Sequence, residues 1–127
     1  MTARRTKIYF DGGCRPNPGP MEIAVVIGGI VHIEDDIGAG GSMDAEWRAL
    51  IAALRLMGER GITDGILLGD AAAVIAQATG KAPARGSAAR HLAACRALLG
   101  DDPMPPLRHI SRTRNLAGIA LARRHPR

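Results

Sequence analysis

Ile66-Leu67-Leu68 is a short unbroken apolar run between Asp64-Gly65 and Gly69-Asp70. It reads as a strand buried on both faces, and such a strand needs cover on both sides of its sheet. The rest of the chain must therefore supply neighbouring strands and flanking helices. Asp44 to Glu59 is the clearest helix. Trp47, Leu50, Ile51, Leu54 and Met57 recur at helical spacing and form one apolar face, while Arg48 and Arg55 lie away from it. Ser42 or Asp44 is the expected N-cap, and Gly58 and Gly61 help to end the segment.

Three strands are expected before this helix: Lys7–Phe10, Glu22–Ile27 and Ile30–Ile33. Gly28-Gly29 is a plausible hairpin turn between the last two. The glycines and prolines of Asp11–Pro20 end the first strand at Phe10, and Gly38–Gly41 is a loop. After the buried strand come helices at Ala71–Ala78 and Ser87–Leu99, separated by a linker at Lys81–Gly86. A strand at Leu107–Ile110 and a helix at Asn115–Arg124 close the chain. The order β-β-β-α-β-α-α-β-α implies an α/β mixed sheet with helices on its faces.

The chain has 127 residues, which suits a single domain over 1–127. Aromatics are confined to Tyr9, Phe10 and Trp47, so the core must be aliphatic and base stacking on aromatic platforms is disfavoured. No apolar run is long enough for a membrane span, and no apolar segment follows the basic N-terminal residues as in a signal peptide. Cys14 and Cys95 form no C-x-x-C, so a reducing cytoplasm is the expected location. Residues 85–127 hold nine arginines and only two acids, whereas residues 1–84 hold eight basic and ten acidic residues. This asymmetry points to a polyanionic partner, such as a nucleic acid, contacted by the C-terminal third. Arg112 and Arg114 are the best candidates for phosphate contacts. No protein partner is indicated, and Gly38-Ala-Gly-Gly41 lacks the ending of a nucleotide-binding P-loop.

Three carboxylates stand at suggestive positions: Asp11 after the first strand, Glu46 in the first turn of the long helix, and Asp70 after the buried strand. If the two strands are adjacent and parallel, Asp11 and Asp70 emerge at one end of the sheet, where Glu46 can join them. Converging carboxylates repel unless a cation neutralises them, and an all-oxygen set suits Mg²⁺ or Mn²⁺. An acidic cluster, a divalent metal and a basic surface together suit phosphodiester hydrolysis.

Four stretches resemble the ribonuclease H type 1 family across roughly residues 6–124. They are Ile8–Pro20, Ala45–Leu54, Leu67–Asp70 followed by Val74-Ile75, and Arg112–Asn115 followed by Leu121-Ala122. The resemblance implies a ribonuclease H-like five-stranded mixed sheet, order 3-2-1-4-5, with strand two antiparallel and helices flanking it. It implies that Asp11, Glu46 and Asp70 bind the metal, and that Cys14 and Asn17 approach the hybrid's backbone and ribose hydroxyls. It also implies an endonuclease that cuts the RNA strand of RNA–DNA hybrids.

The chain departs from the family pattern in several places. Ile119 stands where a fourth carboxylate is usual, Ser42-Met43-Asp44 replaces polar residues before the glutamate, and Ala71-Ala72 replaces a Ser-Gln pair. A Lys-rich handle helix is absent. The alternative reading is therefore a catalytically weak or inactive domain that binds hybrid or double-stranded RNA. His109 and His125 are the nearest candidates for proton transfer.

Overall fold

The computed structural model describes residues 5–125. Its sheet is built from β1 (Thr6–Cys14), β2 (Gly19–Ile27), β3 (Ile30–Glu34), β5 (Gly65–Gly69) and β6 (Leu107–His109), in the order β3-β2-β1-β5-β6. A two-residue strand, β4 (Ala39–Gly40), pairs with the start of β2. β2 runs antiparallel to β1 and β3, whereas β5 is parallel to both β1 and β6. This is the expected mixed sheet, with β4 as an addition where a plain loop was expected.

Every residue of β5 is buried, as its apolar run requires. The cover on one face is α1 (Ser42–Arg60). Its Trp47, Leu50, Leu54 and Met57 share a core cluster with Ile8 and Phe10 of β1 and Ile23, Val25 and Ile27 of β2. The alternate β2 residues Ala24 and Val26 face the opposite way. They pack under Ala117 and Leu121 of α4 (Leu116–Arg123). Two further helices, α2 (Ala72–Ala78) and α3 (Ser87–Leu99), complete the fold, with α3 against α1. No helix among the described residues is long and apolar enough to cross a membrane.

Three local expectations are corrected. β1 continues to Cys14, so Asp11 lies within the strand. Its glycines stay extended against β2, with Gly12 opposite Ile23 and Gly13 opposite Glu22. α1 starts at Ser42 and is capped by Gly41, whose N–H donates to the Asp44 carboxylate at 3.3 Å. Neither Ser42 nor Asp44 is the cap, and Glu46 falls beyond the first turn. A 3-10 turn at Arg112–Arg114 precedes α4, and Asn115 is its N-cap, accepting from the Ala117 N–H at 3.1 Å.

Candidate active site

Strand register brings two of the three carboxylates together. Tyr9 is the last β1 residue paired with β5, and its partner is Leu68. Asp11 and Asp70 each lie two residues further on, so both reach the same level of the sheet. Glu46 arrives because α1 crosses β1 at Gly12. A Cβ there would lie 2.0 Å from the Ala45 carbonyl oxygen, so only glycine permits the approach. The Gly12 N–H donates to Glu46 Oε1 and ties the helix to the strand.

Asp11, Glu46 and Asp70 each offer a carboxylate oxygen, and these oxygens lie within 4.8 Å of one another. All three residues are half-buried. Burial raises the Asp11 carboxyl from its usual 3.8 to about 6; a hydrogen bond with Glu46 opposes the rise, Asp70 adds to it, and Arg112 opposes it. Burial also raises Glu46 from 4.5 to about 9, and the charge of Asp11 adds to the effect. These groups resist joint ionisation unless a cation balances them. Three oxygen donors at this spacing fit a hard divalent cation. No other comparable group of three His, Cys, Asp or Glu residues occurs among the described residues.

The cluster lies in a cavity of about 520 Å³. Arg15 and Arg112 are on its walls, as are Met43, Ala71 and Ala72, so the wall is part cationic and part apolar. Cys14 also lines the cavity. Its thiol lies 3.0 Å from the carbonyl oxygens of both Pro16 and Gly40. Asn17 does not line it. Asn17 instead accepts from the Ser42 N–H and donates to the Ser42 hydroxyl, each at 3.2 Å, so it secures the loop to the start of α1. Arg114 is exposed on the same turn as Arg112 but outside the cavity.

The α4 residue beside Asp11 is Gly118, where a Cβ would lie 3.3 Å from Asp11 Oδ2. Ile119 is half-buried and does not line the cavity. His109 is exposed on β6, and His125 sits beyond α4, bonded to Glu22. Sequence reasoning missed Glu22 and Arg15, which both line the cavity. The signal for Glu22 was present: one acid in the apolar strand Met21–Ile27 must face a polar space.

The chain is similar to several known proteins. Residues 10–125 match a family model described as reverse transcriptase-like. A stretch of 81 residues, 60% of the chain, is 43% identical to ribonuclease HI of Halobacterium salinarum and spans 41% of that relative. The crystal structure of RNase H1 from the same archaeon matches with a TM-score of 0.80 at 32% identity, over 94% of this chain and 99% of that one. The N-terminal RNase H domain of a Mycobacterium tuberculosis protein matches with a TM-score of 0.79 at 25% identity, over 95% of this chain and 96% of that one. LC11-RNase H1, solved with an RNA/DNA hybrid, matches with a TM-score of 0.77 at 28% identity, over 88% and 89%. The strand order, the likeness over nearly the whole length and the carboxylates brought together by β1, α1 and β5 lead to one assignment: the chain belongs to the ribonuclease H type 1 family.

Proposed function

We propose that the chain is a metal-dependent endonuclease that hydrolyses the RNA strand of RNA–DNA hybrids. The observation that carries this reading is the group of three carboxylate oxygens within 4.8 Å on the cavity wall. Asp11, Glu46 and Asp70 would hold Mg²⁺ or Mn²⁺. When bound, the cation lowers the pKa of water and neutralises charge on the scissile phosphate. The protein's own work is positional. β1 and β5 fix two carboxylates at one level, and the Gly12 N–H fixes the third. Arg112 presents a cation at the cavity wall, where an anionic backbone would lie. Arg114, on the same turn, extends that charge outward. Cys14, the last residue of β1, and Asn17, in the loop after it, belong to the segment that would approach the ribose hydroxyls.

A second reading is favoured by one specific feature. No α4 carboxylate accompanies Asp11, because Gly118 occupies that approach. A domain so depleted would bind hybrid or double-stranded RNA by charge and shape and cut slowly or not at all. Incubation with an end-labelled hybrid in Mg²⁺ and in Mn²⁺ separates the two. Cleavage leaving 3′-hydroxyl and 5′-phosphate ends, blocked by EDTA and lost in Asp11→Asn, supports the enzyme. Binding without cleavage in either metal supports the second reading. We also assign the chain to a reducing cytoplasm, on the unpaired Cys14 and Cys95; recovery from cell fractions with both thiols free would support this, and recovery as a disulfide-linked species would refute it.

A further inference from the structure

Glu22 is a carboxylate that the proposed reaction does not use. It is only 8% exposed, yet it lines the same cavity as Asp11, Glu46 and Asp70. β2 places Ala24 opposite Asp11 and Glu22 opposite Gly13. Strand alternation then puts Asp11 and Glu22 on the same face of the sheet, beneath α4. Two glycines keep the space beside these carboxylates open. A Cβ on Gly13 would lie 3.5 Å from Glu22 Oε2, and one on Gly118 would lie 3.3 Å from Asp11 Oδ2. Each carboxylate therefore has an oxygen toward a position without a side chain.

Glu22 is braced from the end of α4. Arg124 donates to Oε1 at 3.1 Å and also pairs with Asp35 at 2.7 Å. His125 Nε2 lies 2.9 Å from Oε1 and 2.8 Å from Oε2. A carboxylate has about four acceptor positions, so this brace leaves Oε2 free to accept again. We propose that Glu22 is the fourth carboxylate of the cation site, reached from β2 in place of the acid that α4 lacks. It lies outside the tight group of three, so it acts on the hydration shell of the cation. The inference rests on the cation-dependent reading above.

The test is calorimetric titration of the protein with Mg²⁺ and Mn²⁺, without nucleic acid, at about 0.1 M and about 1 M KCl. Glu22→Gln should weaken cation binding about tenfold, the scale on which an outer partner of a metal site acts. The loss should persist at the higher salt, where the Debye length is only about 3 Å and a remote charge is screened. Equal affinity, or a difference that vanishes at high salt, would overturn the inference. Arg124→Ala removes the arginine half of the brace but keeps the carboxylate and its His125 contact, so its affinity should match the wild type or exceed it. A loss as large as that of Glu22→Gln would make Glu22 an anchor for α4 and overturn the proposal. If Glu22→Gln does not fold, Glu22→Asp takes its place: the shortened carboxylate should also weaken cation binding at both salt concentrations, and affinity equal to the wild type would overturn the inference. Wild-type binding abolished by Asp11→Asn but untouched by Glu22→Gln would refute this inference alone. No binding by the wild type would refute it together with the proposed function.

Discussion

Replacing Gly12 by Ala should damage the fold and the site together. A Cβ at Gly12 would lie 2.0 Å from the Ala45 carbonyl oxygen, 2.2 Å from the Ala45 carbonyl carbon and 2.6 Å from the Glu46 nitrogen. Ordinary contact begins near 3.4 Å. The strand and the helix must therefore separate by roughly 1 Å or more, because the obstacles are backbone atoms that cannot rotate away. Overpacking that side chains can absorb costs about 1–3 kcal/mol, so a clash between two backbones belongs at about 3 kcal/mol or above. The reduced unfolded-state freedom on going from Gly to Ala returns only about 0.4–1 kcal/mol.

A net loss of about 2–3 kcal/mol should lower Tm by roughly 8–12 °C in a domain of this size. Cation affinity should fall as well, because the same displacement carries Glu46 away from Asp11. Circular dichroism melting with and without Mg²⁺ measures both effects. Gly58 is the control: it lies within α1, a Cβ there meets nothing within 4 Å, and Gly58→Ala should gain about 0.8–1 kcal/mol from helix propensity. A Gly12→Ala protein that melts within about 2 °C of the wild type and binds cation equally would refute the reasoning.

Other outcomes follow from the charges. Asp11 and Glu46 have carboxyls raised to about 6 and about 9, so their contribution to stability is present in full below their ordinary values and is lost as pH rises. The cation-free Tm should therefore decline from about pH 5 to about pH 9, and Mg²⁺ should offset the decline most at the alkaline end; a flat cation-free profile would refute the shifts. Asp11→Asn removes one repelling charge, so it should leave the cation-free Tm unchanged or higher while abolishing the Mg²⁺-dependent rise, as differential scanning calorimetry would show. Replacing Arg112 and Arg114 by Ala should weaken duplex binding and reduce the slope of log K against log salt by about 0.9 for each phosphate that is no longer neutralised. An unchanged slope would assign both to ordinary surface.

The elements most visible in the sequence are those whose burial follows one simple period. Ile66–Leu68 is apolar at every position and became β5, buried throughout. The apolar face from Trp47 to Met57 became the core side of α1. The expected bounds of α3 at Ser87 and Leu99 were also met. The misreadings cluster where glycine serves packing. Gly12 and Gly13 look like breakers after Phe10, but they are extended strand residues with no side chain in the way of α1 or Glu22. A linear pattern shows that a glycine bends or frees the chain; it does not show that a helix lies against it. Asn17 is similar: it stands in a motif associated with substrate, but in the fold its side chain engages Ser42.

Asp11 keeps its position among repelling carboxylates because its surroundings leave the backbone little freedom. On one side, β1 pairs in register with β2 through Cys14. On one face, α1 sits against Gly12. On the opposite face, the buried Asn115 donates to the Phe10 carbonyl at 3.0 Å and accepts from the Ala117 N–H at 3.1 Å. Asn115 thus fixes the start of α4 to the residue immediately before Asp11. A buried amide satisfied at both ends is costly to displace, since moving it would orphan at least two polar groups. The start of the last helix is therefore pinned to the strand that carries Asp11. The Asn115 contacts thus keep Asp11 in place beside Glu46 and Asp70, while burial holds back the joint ionisation of the cluster until a cation balances it.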